Sequence, residues 1–197
     1  MVVTNSLSAH VSLRERKRLA AMKRVQREAV ERFLTRGFHQ VTVEEIAAAA
    51  EVSAMSVYRW FGTKEAVVIW DEFDPPILAE VEQRLAHQSP LGAVRAALVS
   101  ILDRVYDRER ELALDRARLI YREPALTAAA ERNGIALRAA FAGLFVAAGG
   151  SDFDARSFAA VAVALLGVAI ERWQHLDAER PLADLIGESF DVLDRVT

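Results

Sequence analysis

Helix-forming residues follow one another almost without a break from Ser12 to the end of this sequence, and alanine, leucine, arginine and glutamate dominate. No stretch alternates apolar and polar residues with a period of two for long enough to make a convincing β-strand. In residues 12–36 apolar side chains recur near helical spacing, and Gly37 supplies the left-handed conformation that commonly ends a helix. The sequence therefore predicts an all-α fold of about nine helices.

Composition limits the class of protein. The chain has 197 residues, of which 52% are hydrophobic and 27% charged, as in an ordinary globular protein. It contains no cysteine, which excludes disulfides, cysteine-based zinc sites and thiol catalysis. Its longest apolar run, residues 158–170, is shorter than the ~18 residues of a membrane span, and the N-terminus carries no secretion signal. We therefore expect a cytoplasmic protein without membrane contact, in which residues 158–170 form a buried helix.

Charge is distributed unevenly along the chain. Residues 1–64 carry 11 Lys and Arg against 6 Asp and Glu, whereas the remaining residues carry 14 against 22. A basic head on an acidic body favours a polyanionic partner for the first third of the chain. The alternative is that the basic residues between Arg14 and Arg27 only solvate one helix, and charge by itself does not separate the two interpretations.

Two short helices are predicted close together, over residues 42–50 and 53–61. A Thr-x-x-Glu capping box starts the first, and Ser53 caps the second. Gly62-Thr63 ends the second helix and begins the next. Two short helices on either side of a three-residue turn, with a packed helix before them, predict a helix-turn-helix.

The sequence divides after this motif. Residues 1–62 are expected to form an N-terminal tail and the helix-turn-helix domain, and residues 63–197 a larger helical domain for ligand binding and dimerisation. In that second domain we expect one long helix from residue 63 towards 85, bent near Pro75-Pro76. Further helices are predicted over residues 90–107, 111–121, 124–148, 154–176 and 181–196.

A continuous stretch around the two short helices carries a specific pattern. It reads GFHQVTVEEIAAAAEVSAMSVYRWFGTKEAV, from Gly37 to Val67. It contains, in order, Gly-Phe, Thr-x-x-x-Ile-Ala, Ala-x-Val-Ser, Tyr-x-x-Phe and Lys-Glu. In spacing and residue type this stretch resembles the head of the tetracycline-repressor (TetR) family, and it implies a second short helix that enters the DNA major groove.

The resemblance implies DNA-binding roles for eight residues. Thr42 is expected to touch a phosphate, Tyr58 to donate its hydroxyl to the DNA backbone, and Lys64 to contact a phosphate from the next helix. Arg59 is the best candidate for reading a guanine. Without DNA, Thr42 is still needed as a cap, Tyr58 can simply pack at the rim of a small core, and Trp60 fits either role. The full set is Thr42, Ala54, Met55, Ser56, Tyr58, Arg59, Trp60 and Lys64.

The last two predicted helices carry more apolar surface than one intrachain contact needs. In the TetR family such terminal helices usually pair with their symmetry mates. The resemblance therefore implies a homodimer with a four-helix interface, whose two-fold symmetry matches a palindromic operator in double-stranded DNA. The alternative is that these helices only complete a monomeric core.

The central helices, residues 90–148, mix apolar side chains with arginine, tyrosine and phenylalanine. The stretches WDEFDPPILAEVEQRL and RARLIYREPALTAAA resemble the mycofactocin-type branch of the family, and they imply a cavity for a small-molecule effector similar to an acyl-CoA. In such a cavity Arg118 would pair with the ligand's acid or phosphate, although arginine on a helix is more often a surface residue. The candidate ligand-binding residues are Arg104, Arg118, Tyr121, Phe141 and Phe145.

Nothing in the sequence indicates an enzyme or a cofactor. None of the four histidines, His10, His39, His87 and His175, has a carboxylate or second histidine at metal-ligand spacing, so we expect no metal site. The sequence thus favours a ligand-responsive transcriptional regulator, a repressor that its effector releases from DNA. The alternatives are a DNA-binding regulator without an effector, a ligand-dependent activator, and a small helical enzyme for which no catalytic group stands out.

Overall fold

The computed structural model describes residues 12–195, apart from the side chains of residues 104–108 and 194, so the predicted N-terminal tail lies outside it. The described part of the chain contains no β-strand and folds into nine α-helices and two short 3-10 helices, Phe38–Gln40 and Leu193–Arg195. The all-α prediction is confirmed. The α-helices are α1 (Leu13–Arg36), α2 (Val43–Ala49), α3 (Ala54–Phe61), α4 (Lys64–Ile69), α5 (Asp74–Arg84), α6 (Pro90–Arg122), α7 (Pro124–Ala147), α8 (Asp152–His175) and α9 (Leu182–Phe190).

Helices α1 to α4 pack around a small apolar core, and we call this unit the head. Val25, Ile46 and Val57 are fully buried there, one each from α1, α2 and α3. The same core takes in Leu119 and Leu126, which come from α6 and α7. The head is therefore seated directly on the remaining helices, which we call the body.

Local capping signals fix the ends of the head helices. Ser12, Thr42, Ser53 and Thr63 each accept a hydrogen bond from a backbone N–H in the first turn of the helix that follows. Gly37 ends α1 with φ 87° and ψ 146°, a positive-φ conformation that is essentially restricted to glycine. The predicted helix ends are confirmed, although Gly37 adopts an extended positive-φ conformation instead of the left-handed helical one.

The single long helix predicted from residue 63 towards 85 is wrong. The chain leaves α4 at Trp70 and starts α5 at Asp74. Pro75 and Pro76 lie in the first turn of α5, where a missing N–H is tolerated because it would have no partner within the helix. The prolines therefore start a helix instead of bending one. Residues 70–73 join the head to the body, and we call them the linker.

The two helices predicted over residues 90–107 and 111–121 are confirmed as the two arms of α6, which are joined across a kink. Its backbone departs from helical geometry at Glu109, with φ −128° and ψ 23°. No glycine or proline occurs between residues 93 and 123, so the hydrogen-bond ladder resumes after the kink. The result is one kinked element that reaches from α9 at its start to the head at its end.

The last helix, α9, is buried inside the body. Leu182, Leu185, Ile186 and Phe190 belong to the core that α9 shares with α6 and α8. Seven of the nine residues of α9 are buried, so little of its surface remains for a second copy of the chain. For this helix the alternative interpretation, completion of the monomer core, is confirmed.

Helix α8 is apolar but largely exposed. By length and composition it is the one described helix that could cross a membrane. Only 22% of its most apolar 18 residues are buried inside the protein. Ala159, Ala162 and Ala169 face the core, whereas Phe158 and Val168 face outward. The expectation of a buried helix over residues 158–170 is therefore wrong, and α8 carries an apolar face that the monomer leaves uncovered.

Candidate functional site

Helices α2 and α3 meet at a tight turn. Glu51 takes a positive φ of 56°, and the N–H of Val52 donates to the carbonyl of Ala47 at 2.9 Å. Ile46 and Val57 are 0% and 1% exposed and hold the two helices in the head core. Because the turn and the core fix α3, its outer face is presented in one orientation.

The outer face of α3 is exposed. Met55 is 73% exposed and Tyr58 45% exposed, although both are large hydrophobic side chains. Arg59 is exposed, and it forms no ion pair within the described part of the chain. Exposed large side chains beside an unpaired guanidinium mark an interaction surface, and their donors and apolar groups suit base edges and phosphates in a major groove.

The hydroxyl of Thr42 serves the capping box that the sequence predicted. Thr42 Oγ1 accepts from the N–H of Glu45 at 3.2 Å, and the Glu45 carboxylate accepts from the N–H of Thr42 at 2.8 Å. That backbone hydrogen bond and a second bond from Arg36 lower the pKa of Glu45. The cap holds the start of α2, and a phosphate contact by Thr42 stays a prediction.

Three other predicted DNA contacts are partly buried in the head. The hydroxyls of Ser56 and Ser53 lie 2.9 Å apart, so Ser56 takes part in capping its own helix. Ala54 and Trp60 pack against the head core, and the Trp60 ring meets Phe61 edge to face at 6.5 Å. Direct DNA contacts by these residues stay predictions, and their packing supports the orientation of α3.

Lys64 begins α4, but its ammonium group lies against the loop before α2. Its Nζ donates to the carbonyls of Phe38 at 2.8 Å and Val41 at 3.1 Å, and it lies 4.2 Å from the centroid of the Phe38 ring. These contacts engage two of its three N–H donors. The phosphate contact predicted for Lys64 stays a prediction, and only the third donor is left for it.

We expect Lys64→Met to destabilise the protein by about 1–3 kcal/mol in the absence of DNA, because it leaves two partly buried carbonyls without their charged donor. Methionine keeps the apolar stem, so the loss reports on the ammonium group. Urea unfolding measures it. Lys17→Met is the matched control, since Lys17 is exposed on α1 and has no ion pair among the described residues. Equal unfolding midpoints for both variants would contradict this role.

Helix α1 adds positive charge to the head. Arg18 pairs with Glu15, and Lys23 pairs with Glu72 of the linker at 2.5 Å. The other basic residues between positions 14 and 27 are exposed and have no ion pair in the described ranges. Unpaired surface cations of this kind give salt-sensitive affinity for a phosphate backbone. They are Arg14, Arg16, Lys17, Arg24 and Arg27.

A cavity of about 280 Å³ lies between α6, α7 and α8, and it reaches the linker at Asp71. Its walls are mostly aliphatic, with a few polar side chains at one end. This combination is typical of a small-molecule site. The walls are formed by Ala113, Ala117, Ile120, Tyr121, Ala130, Gly134, Leu137, Val163, Leu166, Gly167, Ile170 and Trp173, and the polar groups are Asp71, Arg116, Asn133 and Gln174.

The linker is held from both head and body. Arg116 of α6 donates to the Trp70 carbonyl at 3.1 Å and to the Asp71 carboxylate at 2.7 Å. Gln26, a buried residue of α1, donates to the same Trp70 carbonyl at 2.7 Å. Asp71 also accepts from the N–H of Phe73 at 2.9 Å. One carbonyl group thus connects a buried residue of the head with a residue that lines the cavity.

A second carboxylate, Asp74, lies at the start of α5 beside this cluster. Burial, followed by the negative charge of Asp71, raises its pKa to about 6, while Arg116 and a hydrogen bond with Asn133 oppose the shift. Its charged form is therefore less stable in the folded protein than in the unfolded chain.

We expect Asp74→Asn to raise the free energy of unfolding at pH 7.5 by about 1–3 kcal/mol. Because the native pKa lies above the ordinary value of 3.8, the folded chain binds more protons between pH 4 and 6, and the contribution of Asp74 falls as pH rises through that range. The amide removes this dependence, so the gain shrinks towards pH 4. Urea unfolding at three pH values checks it, with Asp103→Asn on exposed α6 surface as control. A gain that does not vary with pH would contradict the assignment.

The predicted ligand residues fall in different places. Tyr121 lines the cavity. Arg118 points elsewhere and pairs with Asp177, and Phe141 and Phe145 stack on each other in the body core at 6.3 Å. The side chain of Arg104 lies outside the described residues. Only one of the four described candidates is therefore part of the cavity wall.

The sequence analysis missed the polar residues of the cavity. Arg116 lies only two positions before Arg118, but on a helix these two side chains point in different directions. Asp71 belongs to the linker that was predicted to be helical. A heptad relation between Ala113, Arg116, Ala117 and Ile120 was available as a signal, since these residues share one face of α6.

Helices α7 and α8 share a second apolar surface. A groove of about 630 Å³ runs between them, and Ile135, Ala139, Val146 and Ala160 contribute to its walls. Nearby, Phe153 is 79% and Val168 57% exposed. Exposed apolar surface of this extent marks an interaction site. We call it the α7–α8 face.

A head with an exposed recognition helix, seated on a helical body with a cavity between its helices, defines the class of helix-turn-helix DNA-binding regulators. Sequence comparison agrees. Residues 27–69 match the family described as bacterial regulatory proteins, tetR family, and residues 88–197 match the MftR C-terminal domain. The second match alone covers more than half of the chain.

Individual relatives point the same way. The chain is 35% identical over 158 residues to the HTH-type transcriptional regulator TcmR of Streptomyces glaucescens, covering 77% of this chain and 70% of that protein. It is 28% identical over 196 residues to a putative mycofactocin biosynthesis transcriptional regulator, MftR, of Mycobacterium tuberculosis, covering 93% and 94%. Among solved structures it is similar to Thermus thermophilus FadR, a TetR-family repressor in complex with lauroyl-CoA, with a TM-score of 0.55, 26% identity and coverage of 87% and 92%.

The chain belongs to the TetR family of bacterial regulatory proteins. It is a transcriptional regulator and not an enzyme. Regulators of this family bind DNA operators and small-molecule effectors and act as dimers.

Proposed function

We propose that this protein is a homodimeric repressor that binds a palindromic operator through α3 and is released by a small molecule in the cavity. The exposed face of α3, with Met55, Tyr58 and Arg59 outward on a fixed helix-turn-helix, is the observation that carries the proposal. Arg59 reads a guanine and Tyr58 bonds a phosphate. The cations of α1 add affinity that does not depend on sequence.

The α7–α8 face supplies the dimer interface in this proposal. Pairing it with its symmetry mate would build a four-helix interface and cover the apolar residues that the monomer exposes, including Phe158 and Val168. The exposed stripe of α8 carries small residues, Ala160, Ala164 and Gly167, which let two helices approach closely. A second copy, rather than lipid, then covers α8, and the protein works in the cytoplasm.

Ligand binding acts through the linker. The Trp70 carbonyl accepts hydrogen bonds from Gln26 in the head and from Arg116 in the cavity wall, so a ligand that moves Arg116 also changes the position of α4 relative to α1. A shift of α4 changes the distance between the two heads of a dimer. Release from DNA requires that the ligand bind the shifted state more tightly than the DNA-bound one.

Two alternatives give different results with ligand. A regulator without an effector would have a filled body, and the cavity between α6, α7 and α8 argues against it. A ligand-dependent activator would gain DNA affinity with ligand instead of losing it. The domain boundary predicted after residue 62 stays a prediction, and the packing of Val67 and Val68 of α4 in the head core favours a boundary at the linker instead.

The test uses fluorescence anisotropy with the DNA upstream of the gene. We expect the full-length protein to bind an inverted repeat there, and Tyr58→Phe to weaken binding by roughly 5- to 30-fold because one charge-assisted hydrogen bond to phosphate is lost. Tyr121→Phe, a matched change in the cavity wall, keeps wild-type affinity for DNA. Equal affinity of wild type and Tyr58→Phe would remove the backbone contact from the proposal, and the absence of any preferred inverted repeat would reject the repressor assignment.

A further inference from the structure

We propose that the cavity selects an uncharged, mostly apolar molecule with one hydrogen-bonding carbonyl or amide group, and that it discriminates against carboxylates and phosphates. This inference rests on the proposed function, in which the cavity is the effector site. It differs from the acyl-CoA-like ligand that the sequence resemblance implies. The cavity's own charges and hydrogen bonds carry it.

The cation at the polar end is already engaged. Arg116 is the one lysine, arginine or histidine among the described lining residues, and it donates to the Asp71 carboxylate at 2.7 Å and to the Trp70 carbonyl at 3.1 Å. Its side chain is only 18% exposed, so little of the guanidinium is open to solvent or ligand. An anionic ligand would have to compete with Asp71 for Arg116, and two carboxylates would then share one cation.

The charged groups around the Arg116–Asp71 ion pair add to the discrimination against anions. Asp74 lies next to Asp71 and is partly buried, so the region around Arg116 carries two carboxylates and one guanidinium. At the other side, Glu171 lies near Tyr121 and, after burial, contributes to the raised pKa of that phenol, which therefore stays neutral. A bound anion near Arg116 would meet two partly buried carboxylates for one guanidinium, where screening by water is weaker than in bulk solvent.

A ligand cation would also have to compete for its partner. The Asp71 carboxylate accepts from Arg116 and from the N–H of Phe73, so each of its oxygens already has one donor and its charge is already paired. Asp74 is not among the residues that line the cavity, and Asn133, which does line it, forms a hydrogen bond with the Asp74 carboxylate. An ammonium group would lose its hydration without gaining an unpaired carboxylate.

One hydrogen-bonding group in the wall remains unused. The amide nitrogen of Gln174 is buried, and it has no hydrogen-bond partner in the part of the chain that the structure describes. A buried donor without a partner costs about 1–3 kcal/mol. The nitrogen itself is closed to solvent, so a ligand carbonyl gains this hydrogen bond once the Gln174 amide turns towards the cavity that its side chain lines. The rest of the wall is aliphatic, with Trp173 beside Gln174, and it fits an apolar body attached to that carbonyl.

The experiment compares ligands that share an apolar body and differ in their polar end group. Decanamide, decanoate and decylamine form one matched set, and naphthalene-2-carboxamide, naphthalene-2-carboxylate and 2-naphthylmethylamine form a second set of different shape. Binding to the full-length protein without DNA is measured by isothermal titration at pH 7.5. Each ligand is used below the concentration at which it aggregates in solution. We expect the carboxamide of at least one set to bind 10-fold or more tightly than its carboxylate and its amine. A carboxylate or amine that binds as tightly as the amide, or no binding by either amide, would overturn the inference.

Two variants identify the residues responsible. Gln174→Leu should weaken the carboxamide about 10-fold, whereas Gln88→Leu, an exposed glutamine outside the cavity, should leave its affinity unchanged. Asp71→Asn keeps an oxygen for the N–H of Phe73 but removes one carboxylate charge that competes with a bound anion for Arg116, so it should strengthen carboxylate binding 10-fold or more. Unchanged preferences in both variants would show that these side chains do not set the selectivity, and would overturn the inference.

DNA binding is measured separately by anisotropy on the same preparations. If the protein binds carboxamides but binds no inverted repeat, the repressor assignment fails while the charge selectivity stands. If the protein binds its inverted repeat but prefers carboxylates, the selectivity fails and the DNA-binding proposal stands.

Discussion

Val168→Asp is expected to convert the protein to a monomer at micromolar concentration and to weaken operator binding at least 100-fold. Val168 is 57% exposed on α8, so the monomer tolerates a polar residue there. In the proposed dimer, the substitution places one carboxylate from each copy in an apolar four-helix interface without a partner. A single head then loses the gain of roughly 10²- to 10⁴-fold that comes from binding two half-sites at once.

Light scattering and anisotropy measure the two parts of this result. Val192→Asp is the matched control, because Val192 is 41% exposed after α9 and lies away from the α7–α8 face. The control should remain a dimer with wild-type affinity. Circular dichroism confirms that both variants are folded. A folded Val168→Asp dimer that binds its operator normally would refute the assignment of the interface to α7 and α8.

Arg59→Ala is expected to reduce affinity for the operator by roughly 10- to 100-fold per half-site, which corresponds to ~1–3 kcal/mol for a bidentate contact with guanine. Arg59 is exposed on α3 and has no ion pair among the described residues, so its removal costs the free protein little. The loss should be larger for the operator than for unrelated DNA, because the contact is to a base.

The control for Arg59 separates base reading from general charge. Arg195→Ala removes one exposed arginine beside the last helices of the body and should leave both affinities unchanged. Binding of operator and unrelated DNA is compared at two salt concentrations. If Arg59→Ala weakens both DNAs equally, Arg59 contacts phosphate and does not read sequence.

The head could be predicted in detail because its signals are local. The Thr42–Glu45 capping box and the caps at Ser53 and Thr63 depend on residues at most three positions apart. Which residues of α3 face outward followed from the same short segment. The inward position of the Lys64 ammonium did not, because its acceptors, the carbonyls of Phe38 and Val41, lie more than twenty positions earlier.

The body was predicted less well because its features depend on contacts between distant segments. The linker after Trp70 looked helical by propensity, and its real conformation is held by Gln26, 44 positions earlier, and Arg116, 46 positions later. Apolar composition made α8 and α9 look alike. Only packing shows that α9 fills the core while α8 is largely exposed.

The central claim, that α3 enters the major groove, can be tested by cleavage from a single position. The chain has no cysteine, so Met55→Cys gives one attachment point for an iron chelate on the exposed face of α3. Met55→Cys carrying the chelate should cut the operator at two symmetric positions, separated by about one or more helical turns of 10–10.5 base pairs. The same chelate at Glu131→Cys, on exposed α7 surface, should give no localised cutting. Diffuse cutting from position 55, or cutting no stronger than that from position 131, would contradict the account.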